Sequence, residues 1–135
     1  MNKLYAYILH SVSGAGKSTV ADALTVNGGV ICCADDGFMV NGNYVFDVNK
    51  LGFCHRQCQE KFAKAVAENQ SPVVVANTNT TPKDWKFYDE TAKAAGYIVF
   101  HLVVENRHGG KDAHNVPAAT LSKQEQNIRN NLKLI

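Results

Sequence analysis

The sequence has no apolar run approaching the length of a membrane span, and its opening residues lack the layout of a secretion signal. A membrane partner is therefore not expected. Internal repeats and low-complexity tracts are also missing, so the chain does not read as an array or a disordered tail. Charge of one sign is scarce. A formal charge of +2 gives no bulk attraction for a polyanion, which would have to be gripped by a local basic cluster. There is no cysteine framework either. Cys32, Cys33, Cys54 and Cys58 sit inside apolar or helical patterns, which points to a reducing, cytoplasmic location. Cys54-His55-x-x-Cys58 puts two thiols on one helix face, but no second pair stands at metal-ligand spacing, and core packing is the expected role.

What is present suits a folded protein. Hydrophobic residues make up 45% of the chain and charged residues 19%, and 135 residues fit a single domain, 1–135, with one core. The organising stretch runs from Tyr5 to Thr19. An apolar segment reading as a strand empties into Ser11-Val12-Ser13-Gly14-Ala15-Gly16-Lys17-Ser18-Thr19, the back half of a phosphate-binding loop. Backbone N–H groups curl round an anion where a helix begins, and the helix N-terminus adds partial positive charge. Gly14 and Gly16 let the backbone approach phosphate without a Cβ in the way. Residues 13–19 thus form the expected ATP cradle, with Lys17 reaching the β- and γ-phosphates and the Ser18 hydroxyl on Mg²⁺. Ser11 stands where the full pattern has glycine, and it can serve there if its φ is negative.

The remaining chain alternates strands with helices. A first helix from Lys17 to about Leu24 ends at Asn27-Gly28-Gly29, and Val30-Ile31-Cys32-Cys33 is a short strand apolar enough for the middle of a parallel sheet. It runs into Ala34-Asp35-Asp36-Gly37, two adjacent acids at the strand edge where ligands of open α/β sheets bind. Asn41-Gly42 between apolar residues signals a hairpin or tight loop. A helix from about Asn49 to Glu68 turns Leu51, Cys54, Cys58, Phe62, Ala65 and Val66 to one side. After Ser71-Pro72 comes the strand Val73–Asn77, then a helix opened by Thr81, Pro82 and Asp84 that carries Trp85, Tyr88, Ala92 and Ala95 inward. Tyr97–Val104 is the last strand. A polar stretch, 105–116, precedes a final helix opened by Pro117, with Leu121, Ile128 and Leu132 aligned. The pattern predicts an α/β fold with a parallel sheet covered on both faces.

Taken in order, Gly14-x-Gly16-Lys17-Ser18-Thr19, Ala34-Asp35-Asp36, Tyr44-x-Phe46-Asp47, His55-x-x-Cys58, Val73–Thr80 and His114-Asn115-Val116-Pro117 cover nearly the whole chain. The set resembles the P-loop kinase module of phage-type polynucleotide 5′-kinases and related small AAA-like ATPase-domain proteins. That resemblance implies a P-loop kinase-like three-layer sandwich on a four-stranded parallel sheet, with 30–33 at one edge, then 73–77, 4–10 and 97–104. It implies a C-terminal lid over about 105–116 and transfer of the ATP γ-phosphate to a hydroxyl, with a DNA or RNA 5′-end as acceptor. Asp35 falls where those kinases place the base that takes the hydroxyl proton. Arg107 falls at a lid arginine, and Lys111 lies near a second. On the residues alone, Asp35 also reads as a turn acid, and Arg107 and Lys111 as solvated loop charges.

Three departures bear on function. The strand 73–77 ends on Ala76 and Asn77 rather than on an acid, which predicts weaker metal affinity. Lysine in place of a second lid arginine forfeits bidentate contact with phosphate. Gly37-Phe38 after the acid pair lacks the basic residue with which polynucleotide kinases grip a neighbouring phosphate. A kinase for a nucleoside or small metabolite, and a nucleotide-binding module with little turnover, therefore stand beside the first reading. Trp85 and Tyr88 could stack bases, but their helical spacing with Ala92 favours the core.

Overall fold

A computed structural model describes residues 3–107 and 116–132. Among the described residues, six strands and four α-helices follow one another as β1 (Tyr5–His10), α1 (Lys17–Leu24), β2 (Val30–Cys32), β3 (Met39–Val40), β4 (Asn43–Tyr44), α2 (Leu51–Ala67), β5 (Val73–Val75), α3 (Pro82–Ala94), β6 (Ile98–Val103) and α4 (Ala118–Asn131). The main sheet has the order β2-β5-β1-β6, the order that the resemblance implies, and every pairing in it is parallel. Crossover helices join parallel strands, so their carboxyl ends all emerge at one edge.

The two sheet faces follow from alternation along the strands. Ala6, Ile8, Cys32, Val73 and Val75 face α2 and α3, where they meet Cys58, Phe62, Ala65, Val66, Tyr88 and Ala92. Leu9, Val74 and Ala76 face α1 through Ala21. The three valines of β5 are completely buried because that strand is central and covered on both sides. Each contributes roughly 1.5–3 kcal/mol of apolar burial.

Local signals account for most boundaries. The Asp84 carboxylate accepts the Thr81 N–H at 3.2 Å and closes the start of α3, with Pro82 at the first position. Asn41 and Gly42 both have positive φ, 51° and 81°, and join the antiparallel pair β3–β4 as a hairpin. The Asp47 carboxylate accepts from Asn49 N–H at 2.9 Å and starts a short 3-10 turn, Val48–Lys50, that feeds α2.

Some expectations need correction. Leu51 and Ala95 are exposed, and both lie at helix ends, Leu51 as the first residue of α2 and Ala95 as the residue that caps α3. β2 and β5 each stop at three residues. Backbone beyond them is bonded in other ways: Ala76 N–H still reaches Cys32 O at 2.9 Å, and the next positions turn away to form the site.

Candidate nucleotide site and the family of the chain

Gly14 and Gly16 have φ of 78° and 105°, the left-handed region that glycine enters without strain. Gly16 caps α1, so the loop delivers its N–H groups to a helix N-terminus, as anion binding requires. Ala15, within the loop, is buried, and its N–H donates to Val12 O at 3.3 Å. Lys17 is half-buried, while Ser18 and Thr19 are exposed on the first turn of α1. Ser11 does not share the left-handed backbone, which the non-glycine residues Asn41, Asn69 and Asn79 adopt among the described residues. It is buried, its hydroxyl donates to Val12 O at 2.9 Å, and its N–H donates to Thr78 O at 3.1 Å. Serine therefore occupies the first position of the loop without left-handed backbone.

Two residues that sequence reasoning did not single out hold this loop. Gln124 of α4 accepts Ser13 N–H at 2.9 Å and donates to the Ser13 hydroxyl at 3.3 Å. Asn79, completely buried after β5, donates to Leu9 O at 2.8 Å and accepts on its own backbone oxygen from His10 Nδ1 at 2.6 Å. A glutamine on an amphipathic helix and an asparagine in a Thr-Asn-Thr run carry no spacing signal; only the fold brings them to the loop.

The second part of the site lies two strands away, at the end of β2. Asp35 and Asp36 occupy a 3-10 turn, Ala34–Phe38, with Asp35 half-buried and Asp36 exposed. Asn77 anchors this turn. Its Oδ1 accepts Ala34 N–H at 2.8 Å and its Nδ2 donates to Cys58 Sγ at 3.5 Å. The carboxamide that stands where an acid was expected thus ties β2, β5 and α2 together. Gly37 sits so close to Cys54 that a Cβ there would collide with its Sγ, so the missing basic residue has no room at this position.

Cys54 and Cys58 are buried in the core while His55 is exposed. Among the described residues, no group of three or more His, Cys, Asp or Glu is placed to hold a metal ion. Burial pushes the Cys32 thiol up to about 12 and the Cys33 thiol up to about 11, which favours the thiol over the thiolate at both. Trp85 packs edge-on against His10 and His101, and Tyr88 against Phe62, which makes both core aromatics.

A cavity of about 590 Å³ opens beside the loop, lined by Val12, Val103, Val104, Glu105, Asn106, Arg107 and, from α4, Glu125, Ile128, Arg129 and Leu132. Arg107 is exposed and its Nε donates to Glu105 Oε2 at 2.6 Å. Lys111 and most of the expected lid, 108–115, lie outside the described residues.

A parallel sheet whose β1 passes through such a loop into a helix, with the acid turn two strands away on the same edge, is a P-loop kinase-like fold. The chain belongs to the AAA domain family, whose profile matches residues 7–130. It is 37% identical over 98 residues to human NEDD4-binding protein 2, a stretch covering 71% of this chain but only 6% of that protein. Among solved structures, the Pnkp1/Rnl/Hen1 complex is similar over 91% of this chain and 39% of the matched chain, with a TM-score of 0.61 and 16% identity. A gluconokinase from Sinorhizobium meliloti matches over 96% of this chain and 77% of its own, with a TM-score of 0.59 and 16% identity. An APS kinase from Mycobacterium tuberculosis matches over 93% and 95%, with a TM-score of 0.57 and 14% identity. Among the described residues, no helix is long and apolar enough to cross a membrane.

Proposed function

We propose that the chain is an ATP-dependent kinase that transfers the γ-phosphate to a hydroxyl, acting as one unit over 1–135 with a lid near 105–116. The observation that carries the reading is the shared sheet edge. The order β2-β5-β1 with all pairings parallel puts the Asp35 turn, the Asn77–Asn79 segment and the Lys17–Ser18 helix start on the same side. The glycine conformations and the helix N-terminus suit a triphosphate. In this reading the loop over residues 13–19 cradles ATP, with phosphate replacing Gln124 Oε1 as the partner of Ser13 N–H, Lys17 faces the β- and γ-phosphates, and the cavity bordered by Val12 and Ile128 receives the base. The Ser18 hydroxyl would hold Mg²⁺, which when bound offsets charge on the phosphate oxygens. Asp35 takes the proton of the acceptor hydroxyl. That oxygen forms a bond to the γ-phosphorus as the bond to ADP breaks, and the leaving electron pair goes to the β-phosphate oxygen. Arg107 and Lys111 would meet the spreading charge from the lid side.

The acceptor we favour is the 5′-hydroxyl of a polynucleotide. A nucleoside or small metabolite is the alternative, and one observation supports it. Residues 36–49 contain no lysine or arginine, and the hairpin and the segment after it expose Met39, Val45 and Phe46 rather than cations. A binding module with little turnover is the third reading, supported by the commitment of Asn77 to structural bonds.

The test is transfer of labelled γ-phosphate to 5′-hydroxyl DNA, 5′-hydroxyl RNA, nucleosides and small sugars. Asp35→Asn should leave ATP binding nearly intact and slow transfer by about 10²–10⁴-fold, whereas Asp36→Asn acts mainly through loop order. Parental rates in Asp35→Asn would remove Asp35 from the mechanism. ATP binding without transfer to any acceptor would leave the binding-module reading.

A further inference from the structure

Behind the loop, away from the acid turn, a continuous hydrogen-bonded chain runs from a carbonyl to a carboxylate. His10 Nδ1 lies 2.6 Å from Asn79 O, His10 Nε2 lies 2.8 Å from His101 Nδ1, and His101 Nε2 lies 2.7 Å from Asp89 Oδ1. Each of these gaps needs a proton. The two ends are acceptors only, so the protons must come from the four ring nitrogens. Two neutral imidazoles supply two protons; the chain has three gaps. Filling all of them requires one extra proton on the pair.

We propose that His10, His101 and Asp89 are positioning residues whose imidazole pair carries one net positive charge and, through Asn79, holds the start of the phosphate-binding loop in place.

The placement of the charge follows from the surroundings. His10 is completely buried, and burial pushes its imidazole down to about 4 despite the bond to Asn79. Burial therefore disfavours placing the charge on the inner ring, His10. Burial opposes ionisation of Asp89, but hydrogen bonds from His101 and Lys93 outweigh it and hold the carboxyl below its usual range. The facing groups are Asp89 and Lys93 from α3, with Lys93 Nζ at 2.9 Å from Asp89 Oδ2, and the uncharged Trp85 from the same helix, edge-on to both imidazoles. β6 contributes His101 and the segment after β5 contributes the neutral Asn79. Mechanical coupling to the loop is short. Asn79 Nδ2 holds Leu9 O, and Ser11 N–H, the first of the loop, is bonded to Thr78 O beside it. Loss of the third proton leaves two lone pairs facing each other at one gap, and the strand end loses a bond.

The test is nitrogen-15 NMR of the imidazoles in the full chain across about pH 6–9, a window around and above the ordinary histidine value, with the amide signals of Ser11–Gly16 followed in the same samples. Three protonated ring nitrogens in the His10–His101 pair at neutral pH are expected. As the third is released with rising pH, the loop amides should shift with the same midpoint, and affinity for a non-hydrolysable ATP analogue should fall by roughly threefold to tenfold, the worth of one hydrogen bond. Asp89→Asn supplies the decisive comparison. Its carboxamide N–H can fill the outer gap, so two neutral imidazoles complete the chain and the pH response of the loop should vanish. Two ring protons in the parent at neutral pH, or an unchanged response in Asp89→Asn, would overturn the proposal. If that variant does not fold, the parental proton count and midpoints still decide it. Only the affinity measurement rests on the loop being an ATP cradle. A parent that fails to bind the analogue overturns that reading, while the imidazole and amide signals judge the relay independently.

Discussion

Replacing Asn79 by alanine tests the anchoring of the loop most directly. The side chain is 2% exposed, its amide bonds Leu9 O at 2.8 Å, and its backbone sits at a φ of 45°. Alanine removes the donor and leaves a buried carbonyl without it, a cost of about 1–3 kcal/mol. It also places a Cβ residue in left-handed backbone that asparagine tolerates better, at about 1 kcal/mol. The sum is about 2–4 kcal/mol, which for a chain of this size lowers Tm by roughly 8–16 °C. Glycine supplies a control with an unusual sign. It loses the same hydrogen bond but accepts the backbone conformation, so Asn79→Gly should be more stable than Asn79→Ala by roughly 0.5–1 kcal/mol. Urea melts monitored by circular dichroism give both numbers, and the slope of the transition shows whether the denatured state has changed. The backbone carbonyl that receives His10 survives in both variants, so the effect isolates the side-chain clamp. An Asn79→Ala protein within 0.5 kcal/mol of the parent (a margin at about the scatter expected of neutral substitutions), or glycine costing as much as alanine, would refute the reasoning.

Lys17→Ala should weaken binding of an ATP analogue by about 1.5–3 kcal/mol through loss of one charged contact, measured by calorimetry; unchanged affinity would mean the loop is not a nucleotide cradle. Gly37→Ala should destabilise by about 1–3 kcal/mol because the new methyl meets Cys54 Sγ, and Cys54→Ala in the same chain should recover part of it in a double-mutant melt. His10 is held at about 4 in the fold against 6.5 when unfolded, so the unfolded state binds the proton first as pH falls. Its contribution is complete above the unfolded value and is lost as pH drops from 6.5 to about 4, about 3 kcal/mol in all; thermal melts over that range should flatten in His10→Gln.

The local chemistry of this chain is legible along the sequence wherever a signal is short-range. Gly14 and Gly16 with Lys17 announce a phosphate loop because anion binding at a helix start needs those residue types in consecutive positions. Asn41-Gly42 announces its hairpin and Thr81-Pro82-Lys83-Asp84 its helix start for the same reason: the backbone geometry is decided within four residues. The alternation of apolar strands with amphipathic helices was enough for a parallel α/β fold, since a strand buried on both faces must be apolar at every position. The strand order came from the resemblance rather than from the pattern. What required the tertiary structure is every contact made across the sheet edge. Asn77 could be read only as a missing acid, because its bonds to Ala34 and Cys58 span 43 and 19 residues. Gln124 reaches Ser13 across 111 residues, and His10 meets His101 across 91. A hydrogen bond is directional and short, so a single polar residue leaves no periodic trace in the sequence. It acquires a function only when folding brings its one partner within about 3 Å.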